Sequence, residues 1–558
     1  MLRRASFRFV LFFVFAVSLF AQPPLIYNRS IYNAASFMPA GVPFGGIAQG
    51  SIFSIFGSNL GPQKAVTASS FPLGNTLGGV AVNIVQGATS IPAIPVYVSA
   101  SQINVVMPSK APLGMASVQV VFNNAKSNLA PVQVVNSEVG IFTATGTGIG
   151  EGVLYNFIAQ DNQPVNAPKV TAKPGQVITL WATGLGPISG SDNVPPAAGN
   201  LPVKTEVFVG GKPAAVQYNG RSTCCSGVDQ IVFTVPTNAP TGCWVPVYVR
   251  TAGSNISNVV TMAINSSGTG SCTTDVLPKV TDMFVNGGRL AEALAVRTTT
   301  KQDVGVFAPI EVSSDFHVSF AFEPNEKQFP FNPALAFPPS GTCTAYAHKG
   351  DMFNGGALPG MAPTTMPLDF GGPLLLSGPN GSKNLTFNYS GARAGYIGGA
   401  ISNNILPSTL FLSPGSYTVK GFGGLDIGAF STAFTIPQPV SWTNRDTTNV
   451  VPRSEPLEVS WSGGDSGQVV SIIGFGIDLP TNSSAVFVCI APAGATSFTV
   501  PTDMLSNLPP TRPNPLQSKD VIYLMTLAGS SVKNITATGL DVGLTSFYSL
   551  IGKMVVLQ

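Results

Sequence analysis

Short stretches with apolar residues at every second position recur along the chain. In one of them Val245, Val247 and Val249 alternate with non-aliphatic neighbours, so only one face of the segment is aliphatic. Side chains of a β-strand point to opposite faces in turn, and this period therefore predicts strands with one face toward a core. Further strands are predicted at residues 317–323, 384–389, 416–422, 457–461, 469–473, 485–490 and 521–527. Residues 288–297, rich in Ala and Leu, are instead predicted to form a short helix.

Two segments of the first half repeat each other. Residues 50–62 and 175–187 share an opening glycine, an apolar strand and a closing Leu-Gly-Pro. The repeat continues with Gln102-Ile103 and Gln230-Ile231, Pro108 and Pro236, Gly114 and Gly242, and Ser127-Asn128 and Ser257-Asn258. Two units of roughly a hundred residues, each with closely spaced strands and turn signals, predict a pair of immunoglobulin-like sandwiches.

The composition extends this prediction to the whole chain. Its 558 residues include 60 Gly and 47 Pro and are 44% apolar but only 9% charged, which favours many short strands joined by tight turns. The expected fold is all-β, with tandem immunoglobulin-like β-sandwiches. A weak second repeat, residues 424–428 against 539–543, suggests a boundary near Gln438. The predicted divisions are a signal peptide at 1–21, sandwiches at 22–137 and 167–265, a connector at 138–166, a linker at 266–280, a β-rich domain with long loops at 281–437, and a C-terminal sandwich at 438–558.

The N-terminus has the pattern of a signal peptide. A basic start precedes an apolar run from Phe9 to Phe20 and a cluster of small residues. The formal charge of +3 includes Arg3, Arg4 and Arg8, so the chain after cleavage is close to neutral and nucleic acid is not an expected partner. No later apolar run of about 18 residues predicts a membrane span. We therefore expect a secreted, extracellular or cell-surface protein.

An oxidising compartment gives the cysteines a structural role. The disulfide candidates are Cys224, Cys225, Cys243, Cys272, Cys343 and Cys489. The adjacent pair does not match the spacing of a zinc hook and has no histidine near it, so disulfides are favoured over metal. The sequence leaves the pairing open.

Seven short motifs occur in a characteristic order within residues 28–265. They lie at residues 33–37, 50–62, 77–80, 101–104, 139–142, 182–186 and 210–211. This part of the chain closely resembles an uncharacterised domain that is expanded in secreted proteins of Solibacter-type acidobacteria and is similar to the IPT/TIG immunoglobulin-like modules of cell-surface proteins. The resemblance implies a secreted pair of β-sandwiches with no known activity, and it supplies no catalytic residues.

Two motifs are similar to parts of enzyme sites. Residues 464–467, Gly-Asp-Ser-Gly, are similar to the serine turn of trypsin-like proteases, with His348 as a distant candidate partner, and residues 146–152 have the glycine spacing of a dinucleotide loop. A triad needs three converging groups, and a dinucleotide loop needs a following helix. Neither context is present, so both motifs are interpreted as turns or connections. We predict no enzyme activity, no catalytic residue and no cofactor.

Acidic residues give no ordered metal motif. The nearest cluster comprises Glu311, Asp315, Glu323 and Glu326, which we interpret as solvated strand edges and turns in preference to a calcium or acid–base site. The Asp161-Asn162 and Asp192-Asn193 pairs are interpreted as turn residues on the same grounds. No metal site is predicted.

Aromatic residues offer a binding platform only at a few positions. Phe outnumbers Trp and Tyr, 35 against 4 and 12, which indicates cores more than exposed platforms. Trp181 and Trp461 fall within strand patterns and are expected to be buried. Trp244, Trp442 and Tyr346, the last in a predicted long loop, are the candidate platform residues.

Three candidate functions are compatible with these sequence features. The first is a structural or adhesive surface protein without enzyme activity, whose partner is an extracellular protein or polysaccharide. The second is a carbohydrate-binding accessory protein. The third is an unrecognised extracellular hydrolase that uses the loops of residues 281–435.

Overall fold

The protein is all-β, and its N-terminal half is built from two consecutive β-sandwiches. The computed structural model describes residues 22–39, 41–274, 279, 287–302, 310–323, 338–349, 366–385, 395–396, 401–403, 405, 407–465, 467–511 and 521–558. The predicted signal peptide, residues 1–21, lies outside the described residues.

Residues 22–135 form the first unit. Its strands are β1 Leu25–Asn33, β2 Ile47–Ala48, β3 Ile52–Ser58, β4 Val66–Thr67, β5 Thr76–Leu77, β6 Val80–Gln86, β7 Thr89–Val98, β8 Gln102–Val106, β9 Gly114–Phe122, β10 Ala125–Lys126 and β11 Ala130–Val135. The sheet order is β1-β3-β8-β7-β6-β9-β11-β2. The alternate side chains of these strands meet in one core, which includes Phe53, Ile84 and Ile103. The apolar period of the sequence therefore produces a closed sandwich.

Residues 140–264 form the second unit. Its strands are β12 Gly140–Ile141, β13 Leu154–Asn156, β14 Val177–Thr183, β15 Thr205–Val209, β16 Lys212–Arg221, β17 Asp229–Thr234, β18 Gly242–Thr251, β19 Asn255–Ile256 and β20 Val260–Ile264. The order β12-β14-β17-β16-β15-β18 repeats that of the first unit, with β13 also on β14 and β20 on β18. Residues 138–166, predicted as a connector, thus supply strands β12 and β13 to this unit. Backbone pairing with β14 is the reason for the difference.

Hydrogen bonds explain why the repeated residues recur. The Ser127 hydroxyl accepts from Val120 N (2.9 Å) and donates to Asn128 O (2.7 Å). The Ser257 hydroxyl makes the equivalent bonds to Val249 N (2.9 Å) and Asn258 O (2.8 Å). Each serine thus ties the end of one strand to the start of the next. The sequence repeat is therefore a structural repeat.

The repeated asparagines have a matching role. Asn128 accepts from Ile26 N (2.9 Å) and donates to Ile26 O (3.1 Å). Asn258 accepts from Ile141 N (2.7 Å) and donates to Ile141 O (3.0 Å) and Gly148 O (2.8 Å). Each amide satisfies backbone groups of the first strand of its own unit.

The C-terminal half, residues 287–558, is organised around one large sheet. Its strands are β21 Leu290–Gln302, β22 Ile310–Glu323, β23 Cys343–Lys349, β24 Met366–Pro367, β25 Leu374–Gly378, β26 Gly381–Leu385, β27 Gly395–Tyr396, β28 Ile401–Asn403, β29 Gly415–Gly421, β30 Phe430–Ile436, β31 Val440–Trp442, β32 Val450–Val451, β33 Leu457–Gly463, β34 Val469–Asp478, β35 Ser483–Ile490, β36 Ser497–Val500, β37 Val521–Ile535, β38 Val542–Met554 and β39 Val556–Leu557. A 3₁₀ turn spans Arg445–Thr447, and the short helix α1 spans Thr502–Leu505.

The large sheet crosses the predicted boundary near Gln438. Its order is β23-β35-β34-β37-β38-β21-β22-β24, with β21 parallel to β38. Smaller sheets, β26-β25-β29-β30 and β31-β33-β36, supply further core residues. The division into 281–437 and 438–558 therefore cuts through a single sheet. Sequence distance hid a pairing between strands about 250 residues apart.

Residues 288–297 are not helical. Strand β21 runs between β22 and β38 and pairs with both along its length. Its alanines favour a helix in isolation, but a central strand forms hydrogen bonds on both sides and buries Ala293 and Ala295. Tertiary pairing therefore overrides the local helix propensity.

The weak repeat at 424–428 and 539–543 is a shared local motif. The Asp426 carboxylate accepts from Asp369 N, and the Asp541 carboxylate accepts from Arg289 N, each at 2.7 Å. The two motifs also touch, since Gly428 N donates to Thr538 O. They belong to one packed region and do not mark two separate domains.

The first joint connects the two repeated units through partly buried polar contacts. Ile52 N donates to the Thr183 hydroxyl (2.8 Å), and the Asp192 carboxylate accepts from Ser109 N (2.8 Å) and Ser109 Oγ (2.6 Å). Asp192 is thus not a free turn residue. These bonds fix the two units at a defined orientation.

Glu138 is a buried carboxyl group at the same joint. Its Oε1 accepts from Gly46 N at 2.8 Å, and its side chain is only 8% exposed. Burial raises the pKa of Glu138 to about 7, against a smaller lowering by the Gly46 hydrogen bond.

The second joint connects the second unit with the C-terminal half. The Tyr248 hydroxyl donates to Asp503 (2.8 Å), and Arg250 bridges Asp503 and Glu206, each at 3.1 Å. Arg250 also lies over the Phe208 ring, 4.6 Å from its centroid. One hydrophobic core contains residues of both repeated units and of the C-terminal half, Met38, Val42, Ile256, Val259, Trp442 and Trp461 among them. The units therefore pack together and are not joined only by linkers.

All six cysteines form disulfides. Cys343–Cys489 joins directly opposite residues of β23 and β35, and Cys243–Cys272 ties β18 to the segment after β20. Cys224–Cys225, the vicinal disulfide, lies between β16 and β17. Within the described residues, none of the helices has the length and apolar content needed to cross a membrane.

Candidate functional site

The second unit carries an open groove on the face of strands β13, β14 and β17 that points away from its core. The groove has a volume of about 410 Å³, within the usual range of small-molecule sites. Its lining combines two aromatic rings with polar side chains: Tyr155, Gln160, Asp161, Gln163, Thr179, Trp181 and Gln230.

Strand alternation places the groove residues on one face. Ile178, Leu180 and Ala182 of β14 are fully buried in the core of the unit. Thr179 and Trp181 must therefore point to the opposite face. On that face Thr179 pairs with Tyr155 of β13, and Trp181 pairs with Gln230 of β17. The strand register thus assembles the floor of the groove.

The two aromatic rings stand nearly perpendicular to each other. The Tyr155 and Trp181 centroids are 6.3 Å apart with an interplanar angle of 81°, and both side chains are partly exposed. Beside them, a tight turn closed between Ala159 and Asn162 carries Asp161. The prediction of a turn at Asp161-Asn162 is confirmed, and this turn also forms one wall of the groove.

The equivalent position of the first unit carries a different aromatic cluster. Phe56 pairs with Gln102 there, as Trp181 pairs with Gln230 in the second unit. Phe56 packs against two further rings, Tyr32 at 6.0 Å and Phe37 at 6.3 Å. The Gln102 amide donates to Asn104 at 2.9 Å. The two units therefore share the strand register here but differ in the side chains around the aromatic residue.

The three predicted platform residues lie inside the protein. Trp244 is 5% exposed beside the Cys243–Cys272 disulfide, and Trp442 is 6% exposed with its indole N–H bonded to Asn444. Tyr346, expected in a long loop, lies in β23 and is 7% exposed. None of the three presents its ring to solvent, and the structure does not bring them together. Their burial follows from strand positions that face cores.

Trp181 is the aromatic residue that the sequence prediction missed. Trp461 is buried, as expected, but Trp181 is partly exposed. The near-continuous apolar run of β14 conceals the alternation between its two faces. Thr179, two residues earlier, was the available signal for a polar face.

The carboxylates at 311–326 do not converge on a common site in the described residues. Glu311 pairs with Arg445 (2.8 Å), while Asp315 is buried, pairs with Arg297 (2.9 Å) and accepts from Leu412 N (2.7 Å). The interpretation of Asp315 as a solvated edge residue is therefore wrong, because its strand position faces the interior. The Glu323 side chain and Glu326 lie outside the described residues.

The two motifs with similarity to enzymes have ordinary surroundings where they are described. His348 lies in β23 and is 4% exposed, and Ser466 lies outside the described residues. Residues 146–152 form turns packed against Ser36 and precede strand β13, with no helix after them. In the described part of the chain, no group of three or more His, Cys, Asp and Glu residues is arranged to hold a metal ion.

Comparison with known proteins gives only remote likeness. No protein-family model and no curated protein sequence matches the chain. Among solved structures, SGBP-B from a xyloglucan utilization locus of Bacteroides uniformis has a TM-score of 0.16 at 9% identity, covering 86% of this chain and 98% of its own. SGBP-B from the Bacteroides ovatus mixed-linkage glucan utilization locus, in complex with a heptasaccharide, has a TM-score of 0.11 at 12% identity, covering 87% and 92%. The I9–I11 tandem of titin has a TM-score of 0.12 at 7% identity, covering 74% and 96%. At TM-scores this low, the likeness says nothing about function.

Proposed function

We propose that this chain is a secreted, non-enzymatic surface-interaction protein that binds an extracellular protein or polysaccharide. The observation that carries the proposal is the packing at the two joints. A shared core and hydrogen bonds at both joints hold the three parts together, so the outer sheet faces have fixed relative positions. A protein built to present surfaces benefits from such fixed positions, since little conformational freedom is then lost on binding.

An extracellular location is part of the proposal. The signal-peptide pattern and three disulfides both fit an oxidising, extracellular environment. The similarity of residues 28–265 to the Solibacter-type and IPT/TIG modules also stays a proposal. The repeated strand order of the two units supports it.

A carbohydrate-binding role is the second candidate. The specific observation in its favour is the groove with Trp181 and Tyr155, which combines partly exposed aromatic rings with amide side chains. An extracellular hydrolase has no comparable support, because His348 is buried in a strand.

The test is a pull-down of the oxidised chain, residues 22–558, on cell-envelope fractions and insoluble polysaccharides. Bound protein is quantified over a range of concentrations. The proposal expects saturable binding to at least one fraction. Absence of binding to every fraction would contradict it.

A further inference from the structure

The groove of the second unit has polar groups that are not used to hold the fold. Within the described residues, the Gln230 amide and the Trp181 indole N–H have no hydrogen-bond partner in the protein. In the first unit the matching amide, Gln102, is bonded to Asn104. The second unit thus leaves free the glutamine amide that the first unit uses internally.

The chemistry of the lining suits a polyhydroxylated ligand. A glutamine side chain offers both donors and an acceptor, and sugar hydroxyls likewise donate and accept. Gln160, Gln163 and Gln230 place three such amides around the rings, of which Gln163 already donates to Gln160 O at 3.1 Å. The faces of a sugar ring carry C–H groups that pack on aromatic surfaces, and Trp and Tyr combine such a surface with a polar tip.

The charge of the groove lining indicates which class of polysaccharide the groove favours. Asp161 is the only acidic residue of the lining, and neither lysine nor arginine is among the lining residues. An anionic polymer would meet a carboxylate without a compensating cation. The lining therefore favours a neutral polymer over a uronate, a sulfated glycan or a nucleic acid.

We infer that the groove formed by Tyr155, Trp181 and Gln230, with the turn at Asp161, binds the sugar rings of a neutral polysaccharide. This inference rests on the proposed surface-interaction function and names the ligand class of one surface. Trp181 supplies the main packing face, Tyr155 the flanking ring, and Gln230 a hydrogen-bonding amide beside it.

Affinity electrophoresis of the oxidised full chain tests the inference. The probes are hydroxyethylcellulose, arabinoxylan, galactomannan and dextran as neutral polymers, with polygalacturonate as the anionic comparison. We expect retardation by at least one neutral polymer and none by polygalacturonate. Trp181→Ala and Tyr155→Ala should each weaken Kd at least about tenfold, the usual effect of truncating a central aromatic anchor. Trp181→Phe, which keeps a ring, should retain part of the affinity.

The matched control is Phe56→Ala, which removes the ring at the same register position of the first unit. It should leave Kd unchanged. Circular dichroism and thermal unfolding of each variant separate lost binding from lost folding, and Gln230→Leu provides a second groove variant that adds no cavity. Absence of binding to all four neutral polymers overturns the inference, as does binding that Trp181→Ala and Tyr155→Ala leave intact.

The same variants distinguish this inference from the proposed function. If Trp181→Ala still binds envelope fractions and the wild type binds no neutral polymer, the groove inference fails and the surface-interaction function stands. If the wild type binds neither fractions nor polymers, both fail.

Discussion

Glu138 makes the stability of the first joint depend on pH. Its carboxyl group is buried, and burial raises its pKa from 4.5 to about 7. In the unfolded chain the group ionises near its ordinary pKa, whereas in the folded chain it stays protonated to about pH 7. Between these values the folded state binds more protons than the unfolded state, so the free energy of unfolding falls as pH rises. The full loss in the free energy of unfolding is reached once the pH exceeds the pKa of Glu138 in the folded chain.

The magnitude follows from the same two pKa values. A gap from 4.5 to about 7, at roughly 1.36 kcal/mol per pKa unit, corresponds to a loss on the order of 3 kcal/mol. Glu138→Gln removes the titration and keeps a side-chain oxygen that can accept from Gly46 N. The variant should therefore match the wild type near pH 4.5 and exceed it by up to about 3 kcal/mol at pH 8.

The assay is urea unfolding of both proteins at several pH values between 4.5 and 8. Other buried groups titrate in this range. His317, for example, has its pKa lowered by burial to about 4, which makes stability rise with pH. Such contributions cancel in the difference between variant and wild type if the sites are independent. Hydrogen exchange of the peptides covering residues 41–50 and 134–142, which contain Gly46 and Glu138, shows whether the change in stability lies at the first joint. Equal pH dependence of the two proteins would refute the reasoning.

Two further predictions concern the disulfides and the repeated asparagines. Replacing Cys343 and Cys489 together by Ala should cost about 5 kcal/mol under oxidising conditions, since this bridge closes a loop of 146 residues. Removing the vicinal disulfide in the same way should cost far less, and equal losses in urea midpoint would contradict the loop-length account. Asn258→Ala should cost about 2–4 kcal/mol, because it leaves three buried backbone groups without their hydrogen-bond partner. Asn128→Ala, at an exposed position, should cost about 1 kcal/mol. Thermal unfolding that ranks these two variants in the opposite order would show that the amides do not carry these bonds.

The strand patterns and the sequence repeat both predicted parts of the structure. The strands predicted at 317–323, 416–422, 457–461, 469–473, 485–490 and 521–527 lie on β22, β29, β33, β34, β35 and β37. Ser127-Asn128 and Ser257-Asn258 recur because each pair bonds the same backbone positions of its unit, and such local requirements are visible in sequence. Strand β21 was assigned wrongly because its pairing with β38 bridges residues far apart in the chain. A local pattern contains no information about that partner. The boundary near Gln438 failed for the same reason.

Locating the candidate site required both the local sequence repeat and contacts between distant segments. A repeat alignment places Phe56 and Trp181 at one register position, and each pairs with a glutamine. The sequence could therefore identify an aromatic residue at the outer face of both units. It could not show which rings lie beside each residue: Phe56 packs with Tyr32 and Phe37, whereas Trp181 packs with Tyr155. These neighbouring rings belong to segments that the repeat does not share. A site of this kind is therefore most readily found where two copies of one fold differ in the side chains beside the same residue.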